Sequence, residues 1–443
     1  MKRHFPSAAL AFGDAILLHW RELTGKHYGK VVRAYVILRM SSPLKHAYNC
    51  PMPHIRGSRW VSVLLATTAI SQSACDLFPS GLDLSGGAFD LGDTIRTTPA
   101  LLPGGLSFAS LTTRGSHTCG LTSGGVAYCW GYNYWGQLGD GSTTGRSNPL
   151  AVSGGLMFAT IVAGGNHTCG LTSSGIAYCW GSNISGQLGD SSVTLRSTRP
   201  VAVSGVRTFT SLAAGGEFGW EGHTCGLTSG GAAYCWGWNS GGQLGDSSLT
   251  TRFSSVAVLG GLAFASLTAG GSHTCGLTSG GVAYCWGWNL YGQLGDGSFT
   301  SSVMPVAVAG GRTFAHLSAG GQHTCGLTAD GAAFCWGTNG FNTLGNDSVT
   351  QRTSSPVAVL GGLTFASLSG GIYHTCGLTT GGVAYCWGWG TLGELGDGSS
   401  ATRATPVAVA GGLTFASLAA GFRHTAGVTS GGTAYRWGVS RIR

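Results

Sequence analysis

The chain has 443 residues, of which 79 are Gly, 14 are Trp and only 9% are charged, a profile rich in turn formers and aromatics that fits an all-β protein. The formal charge of +8 invites a nucleic-acid reading. However, residues 1–75 hold ten of the Lys and Arg, every Lys among them, against Asp14 and Glu22, so the rest of the chain is neutral. A neutral body without lysine has no basic footprint to track phosphates, and no nucleic-acid partner is expected.

In chain order, residues 1–51 read as an upstream extension without structure. From Arg56 to Cys75 the text is RGSRWVSVLLATTAISQSAC: two arginines, an apolar stretch from Trp60 to Ile70, then small polar residues. That order is the layout of a secretory signal, with Met52 as its start. The apolar run falls short of the roughly 20 residues that span a bilayer, so export is expected rather than anchoring by a helix. Cys75 follows Ser73-Ala74 and resembles the lipidated cysteine of a bacterial lipoprotein box, although Gln72 stands where an aliphatic residue is usual. Simple cleavage near Ser71 or Ser73 is the alternative. Residues 52–75 are therefore a signal peptide or lipoprotein signal, 76–88 a linker, and 89–443 the folded body. That body is expected to be extracellular, periplasmic or lipid-anchored, touching a membrane only through Cys75.

The body repeats. Its His-Thr pairs begin at His117, His167, His223, His273, His323, His374 and His424, spaced 50, 56, 50, 50, 51 and 50 residues apart. Each unit contains four short β segments separated by Gly turns, as in one blade of a propeller. In the fourth unit these are Leu262 to Leu267, His273 to Thr278, Val282 to Trp286 and Pro305 to Val308. A lone sheet of this size exposes both faces, and a closed ring supplies neighbours without a vulnerable end. The seventh unit stops at Trp437-Gly438-Val439, without its last loop and strand. Phe89 to Leu102 matches the missing tail, so an N-terminal strand is expected to complete the last blade of a seven-bladed β-propeller.

The string His273-Thr274, Leu277-Thr278, Gly281, Tyr284-Cys285-Trp286-Gly287-Trp288-Asn289, Gly292-Gln293-Leu294-Gly295 resembles the signature of the regulator of chromosome condensation repeat family. The resemblance covers residues 89 to 438 and implies a seven-bladed propeller. It also implies two kinds of role. One is the binding of a protein, as a secreted bacterial relative that inhibits beta-lactamase does with a similar propeller; the other is nucleotide exchange on a small GTPase, the role of the eukaryotic namesake. The export leader and the absence of a recognisable exchange insertion favour the first.

Six units carry two cysteines ten residues apart: Cys119 and Cys129, Cys169 and Cys179, Cys225 and Cys235, Cys275 and Cys285, Cys325 and Cys335, Cys376 and Cys386. Each pair is symmetric about a Gly-containing turn, so its members face each other across a hairpin at a separation a disulfide can bridge. In the seventh unit both are lost together, to Ala426 and Arg436, as a covalent pair would be. Export favours disulfides over reduced, space-filling thiols. Zinc is a weaker alternative: His117, Cys119 and Cys129 offer three ligands, one short of the usual four. The histidines read as buried groups bonded to backbone within each blade.

No carboxylate pair, nucleophile with base, phosphate loop or calcium loop interrupts the pattern, so neither catalysis nor a cofactor is expected. Asp140, Asp190, Asp246, Asp296 and Asp397 recur once per unit in turns, where Asp bonds local backbone. Two zones differ among units. The residues after Trp-Gly include Tyr132, Tyr134, Trp135, Trp238, Trp288, Leu290, Tyr291, Phe341, Trp389 and Leu392, in equivalent loops and hence on one face of the ring. They either anchor a partner or pack against the adjacent blade. The third unit inserts Glu217-Phe218-Gly219-Trp220-Glu221-Gly222 where the others have one residue, either a specific contact or a neutral loop extension. The expectation is a monomeric scaffold that holds an unidentified protein or other macromolecular ligand.

Overall fold

A computed structural model describes residues 95–217 and 221–439, together with the backbone of two strands nearer the N-terminus. The chain divides into two units, residues 1–88 and 89–443. In the first, Ile16–Leu23 pairs antiparallel with Val31–Leu38, Ile16 opposite Leu38. This hairpin falls within the segment expected to lack structure; its run of β-branched residues suits an extended backbone. The signal region, Cys75 and the start of the closing segment, through Thr94, lie outside the described residues.

The second unit consists of seven four-stranded antiparallel sheets. In blade 1, strand A is Ser110–Thr113, B is His117–Leu121, C is Ala127–Gly131 and D is Arg146–Ala151. Blades 2 to 6 follow the same order, with A strands beginning at Thr160, Ser211, Phe264, His316 and Phe365. In the fourth unit the B strand is His273–Thr278 as expected, while A and C sit one or two residues later than read, at Phe264–Ala269 and Ala283–Gly287. The D strand starts earlier, at Ser302, and runs through Pro305. An outermost strand accommodates that proline because one side of it has no ladder to join.

Blade 7 is built from Ser417–Ala420, His424–Val428, Ala434–Val439 and, as its fourth strand, Ile95–Leu101. Ile95 lies opposite Val439 and Leu101 opposite Tyr435. The N-terminal end of the body thus closes the ring on the C-terminal blade.

The apolar core is divided into seven wedges between blades. In the wedge between blades 1 and 2, Cys119, Leu121, Ala127, Cys129 and Leu138 meet Phe158, Ile161 and Trp180 of the next blade. Gly139, at φ +70°, tucks under that indole: a Cβ there would stand 2.6 Å from the Trp180 ring nitrogen. No side chain fits, which explains the Leu-Gly of every such loop.

All six cysteine pairs are disulfides between directly opposed residues, with Cα atoms 4.1 Å apart in each. Cys119 is bonded to Cys129 in blade 1, Cys169 to Cys179 in blade 2 and Cys225 to Cys235 in blade 3. Cys275 is bonded to Cys285 in blade 4, Cys325 to Cys335 in blade 5 and Cys376 to Cys386 in blade 6. The pairing is the one expected from the ten-residue spacing. Each bridge braces its B–C hairpin and presents sulfur to the following blade's aromatics: Cys179 packs in the wedge of Trp236, Cys235 in that of Trp286, Cys335 in that of Trp387 and Cys386 in that of Trp437.

Two closed circuits of hydrogen bonds join the wedges. Around the axis, backbone N–H groups donate to the next blade from Gly115 to Gly164, Gly165 to Gly215, Gly216 to Gly270, Gly271 to Gly320, Gly321 to Gly371, Ile372 to Gly421 and Phe422 to Gly115, at 3.0–3.4 Å. Farther out, each repeat histidine places Nε2 at 2.8–2.9 Å from the threonine hydroxyl of the next blade: His117 on Thr168, His167 on Thr224, His223 on Thr274, His273 on Thr324, His323 on Thr375, His374 on Thr425 and His424 on Thr118. The histidines are buried as expected, but their ring partner is a hydroxyl across the wedge rather than backbone within the blade.

The tautomer follows from the proton count. Thr168 donates its only hydroxyl proton to the Gln137 carbonyl at 2.8 Å, so it accepts from Nε2–H, and the same holds at Thr224, Thr274, Thr324, Thr375 and Thr425. Nδ1 is then unprotonated, and in the first six histidines it finds no partner among the described residues. Burial first, and neighbouring histidines and Arg114 second, push these imidazoles down to about 3 in His117, His167, His223, His323 and His374. His273 shifts the same way and His424 falls to about 4.

Two outcomes follow. Between pH 6.5 and 3 the unfolded chain takes up protons that the native ring refuses, so stability is complete above about pH 6.5 and lost below it. At about pH 5 each ring histidine gives up about 2 kcal/mol, and seven together match a typical global stability of about 5–15 kcal/mol. Thermal melts followed by circular dichroism should show Tm falling steeply from pH 7 to 5. Separately, Ala426 lies opposite Arg436 where the other blades have cystine. The Ala426→Cys, Arg436→Cys double variant should gain a seventh bridge, seen as two hydrogens fewer in a non-reducing mass, and should resist denaturant by about 2 kcal/mol more.

Candidate binding face

The A–B and C–D loops emerge on the same face of the ring. They are tied together by backbone bonds, among them Tyr132 N–H to Ser116 O, Trp238 to Gly222, Trp288 to Ser272, Thr338 to Gln322 and Trp389 to Tyr373. Every residue after Trp-Gly is thereby fixed beside the rim of the central channel. In the C–D loops of blades 1 to 5 an Asn side chain holds the turn, where blade 6 has Gly390: in blade 1, Asn133 Oδ1 accepts from Leu138 N–H at 2.9 Å, and Nδ2 donates to Asp140 and to the Thr144 carbonyl. Asp140 accepts the Ser142 N–H at 2.9 Å and pairs with Arg146; Asp246 with Arg252 and Asp397 with Arg403 repeat the ion pair. These carboxylates are turn supports, as their spacing implied.

The variable aromatics divide between packed and exposed positions. Phe341 of blade 5 stacks on Trp389 and Tyr373 of blade 6, with ring centroids 4.5 and 4.7 Å apart, and Tyr373 meets Phe422 of blade 7 at 5.7 Å. That cluster joins blades. Trp135 is part-buried against Tyr134, at 5.0 Å, and Trp238 is also part-buried. Tyr134 (56%), Trp288 (37%) and Tyr291 (38%) are exposed, as are Leu290 and Phe299. A second, outer arc of the same loops escaped sequence reading: Val193, Leu249, Phe299 and Val349 are exposed at one position in blades 2 to 5. They stand third after the turn residues Asp190, Asp246, Asp296 and Asn346, where the polar loop disguised them.

The channel mouth carries the strongest departure from symmetry. Blade 1 has Arg114 where the other blades have the first Gly after strand A, such as Gly164, whose Cβ would stand 2.3 Å from the His167 ring. The buried Arg114 side chain reaches across to blades 3 and 5, donating to the carbonyls of Gly216 at 3.0 Å, Ala319 at 3.2 Å and Gly320 at 2.9 Å. Desolvation lowers its pKa to about 10, against the opposing pull of Glu217. Glu217, the first residue of the blade 3 insertion, lies at the same mouth. Glu217 lies on the glycines of blades 4 and 5: a Cβ on Gly271 would stand 2.4 Å from its Oε1, and one on Gly321 2.8 Å. Burial raises Glu217 to about 7 despite Arg114. Glu221 faces Ser272 of blade 4 at 3.5 Å, and its pKa is also raised by burial. Phe218 and Trp220, the aromatic candidates of this insertion, lie outside the described residues.

The zinc alternative asks for thiolates, and Cys119 and Cys129 are bonded to each other while His117 Nε2 is held by Thr168. Among the described residues no group of three or more His, Cys, Asp or Glu is placed to hold a metal.

The family model of the regulator of chromosome condensation repeat matches residues 158–187, 209–243, 264–293, 314–343 and 365–394. A second model of the same repeat matches 124–171, 174–219, 280–327 and 381–428. Among solved structures, human WBSCR16 is similar at 20% identity and a TM-score of 0.66, covering 78% of this chain and 89% of its own. Yeast RCC1 (Prp20) bound to Kap60 is similar at 21% identity and 0.63, covering 75% and 80%. Prp20p from Saccharomyces cerevisiae, described with its binding to Gsp1p and histones, is similar at 22% and 0.63, covering 75% and 82%. At these identities the likeness is one of fold. No match was found among curated proteins.

One position near this face yields a pH-dependent prediction. Gln137, Gln187, Gln243 and Gln293 each use Oε1 to accept a backbone N–H two residues earlier; in blade 6 the position is Glu394, which accepts from Leu392 at 2.8 Å. Burial raises Glu394 to about 7. Its native form therefore holds a proton between pH 4.5 and 7 that the unfolded chain has lost, and its cost is fully developed above pH 7. Glu394→Gln keeps the acceptor without the charge. In urea titrations it should be more stable than wild type by roughly 3 kcal/mol at about pH 8, with the difference closing at about pH 4.5.

Proposed function

The chain belongs to the regulator of chromosome condensation repeat family, and we propose that it is an exported, non-catalytic propeller that holds a protein or other macromolecular ligand on its A–B/C–D face. One observation carries the reading: the exposed aromatics of the described residues, Tyr134, Trp288, Tyr291 and Phe299, all stand on C–D loops. Large, rigid rings contribute most of the energy of interfaces, because they bury much area at little entropic cost. The face is also where the blades differ, as a surface selected for one ligand must, while the wedges beneath stay uniform.

Export is supported by the six disulfides, which persist in oxidising compartments and not in a reducing cytosol. The signal-like segment before Cys75 agrees with it, with lipidation there as the anchoring route. A protein as the ligand is supported by one relative of like fold, yeast Prp20, solved with Kap60 and described elsewhere with its binding to Gsp1p and histones. Those partners belong to that protein.

The test is capture by the immobilised full chain from the producing cell's exported fraction, followed by titration of the recovered ligand. Replacing Trp288 and Tyr291 together by Ala should weaken binding at least tenfold, about 1.4 kcal/mol, while Arg312→Ala, among the loops of the opposite face, should leave it unchanged. The reverse pattern would place the site on the other face.

A further inference from the structure

We propose that the face receives a basic side chain of its ligand, an arginine foremost, seated on Trp288 and Tyr291 beside Glu221 and Glu217. The inference rests on the binding-face reading above and adds the chemistry of the partner: a protein segment that brings a guanidinium to the channel mouth.

Charge distribution is the first support. Ten carboxylates lie between Ile95 and Val439. Asp140, Asp190, Asp246, Asp296, Asp347 and Asp397 belong to C–D loops, Glu394 is buried at 2% exposure, and Asp330 sits in a B–C turn on the opposite face. Glu217 and Glu221 remain, both at the mouth. Among the described residues the ion pairs are those of Asp140, Asp246 and Asp397; Glu217 is coupled to the Arg114 charge, and Glu221 has no cation beside it. Arg114 lies beneath Glu217 with its guanidinium committed to three carbonyls.

The face's own packing is the second support. Three times it stacks a guanidinium on an exposed or rim aromatic: Arg196 over Tyr134 at 6.0 Å, Arg352 over Phe299 at 4.4 Å and Arg423 over Phe422 at 4.5 Å. Trp288 and Tyr291 carry no such cation among the described residues, although both are exposed and Trp is the best ring for one. Trp288 stands next to Glu221: Ser272 donates to Glu221 from its hydroxyl, and its carbonyl accepts the Trp288 N–H at 2.9 Å. The proposed arginine stacks on these rings and donates to the Glu221 carboxylate. Planar stacking together with forked donation is what distinguishes arginine from lysine at such a place.

The experiment uses the full chain and a fluorescein-labelled nona-arginine peptide, followed by anisotropy at fixed physiological salt. Nona-lysine and nona-glutamate serve as competitors. Binding should be displaced by unlabelled nona-arginine, more weakly by nona-lysine and not by nona-glutamate. Glu221→Gln, at an exposed position, should weaken it at least threefold, and Glu217→Gln with Glu221→Gln at least tenfold, with circular dichroism melts unchanged for the single variant. Asp330→Asn should have no effect. Absence of binding, equal displacement by nona-glutamate, or indifference to Glu221→Gln overturns the proposal. If Trp288→Ala with Tyr291→Ala abolishes capture of a natural ligand while nona-arginine fails to bind, the binding face stands and the basic partner falls.

Discussion

The propeller depends on a bond that no blade can make alone, the one from a buried imidazole to the threonine hydroxyl of its neighbour. It is directional, because the hydroxyl proton is already committed to a carbonyl and only Nε2–H can complete the contact. Seven such bonds run the same way round, and the circuit has no free end. At its seam, His424 Nε2 is met by two hydroxyls, those of Thr113 and Thr118. The glycines between strand A and the histidine follow from the same demand: their missing side chains let the imidazole lie against the backbone, and five of the seven N–H groups of the inner circuit are theirs, with Ile372 and Phe422 supplying the others.

Closure from the N-terminal side has a structural consequence at that seam. Blade 7 takes its outer strand from residues 95–101, so opening the ring there separates segments from opposite ends of the body. This is also the blade without a cystine, its wedge filled instead by Ala426, Val428 and Ala434 against Phe108, Leu111 and Trp130. A bridge across a B–C hairpin constrains only a short loop and cannot hold two blades together. The circuits do that, which is why one missing staple is tolerated.

Much of this was legible in the sequence because a repeat comparison acts as its own alignment. Equal spacing gave the blade count, the truncated seventh unit gave the closing strand, and paired loss of cysteine gave the disulfides. The His–Thr bond was not legible. It joins equivalent positions about 50 residues apart, and contacts of that kind leave no local periodicity. Arg114 breaks the glycine pattern at its position, a signal the repeat comparison passed over, and its reach to blades 3 and 5 exists only once the ring is closed. The aromatics after Trp-Gly were read correctly as sharing a face, while Phe341 and Trp389 pack on one another because adjacent C–D loops converge near the axis.

A symmetric ring by itself presents seven equivalent surfaces, and a single ligand needs one that differs. Here the asymmetry is confined to residues that the circuits leave free. Asn side chains in blades 1 to 5, and the Asp or Asn after each Leu-Gly, fix the C–D loops from within, so the residues after Trp-Gly and the outer-arc position vary without cost to the wedges. The two departures at the mouth are coupled to each other: Arg114 replaces a glycine of the other blades and sends its guanidinium across the channel mouth, and its charge opposes the effect of burial on Glu217 of the insertion. Remove either and the other is left as an uncompensated charge in a poorly solvated site. Substitution at one position and insertion at another, a hundred residues away in sequence, thus belong to a single feature of the face.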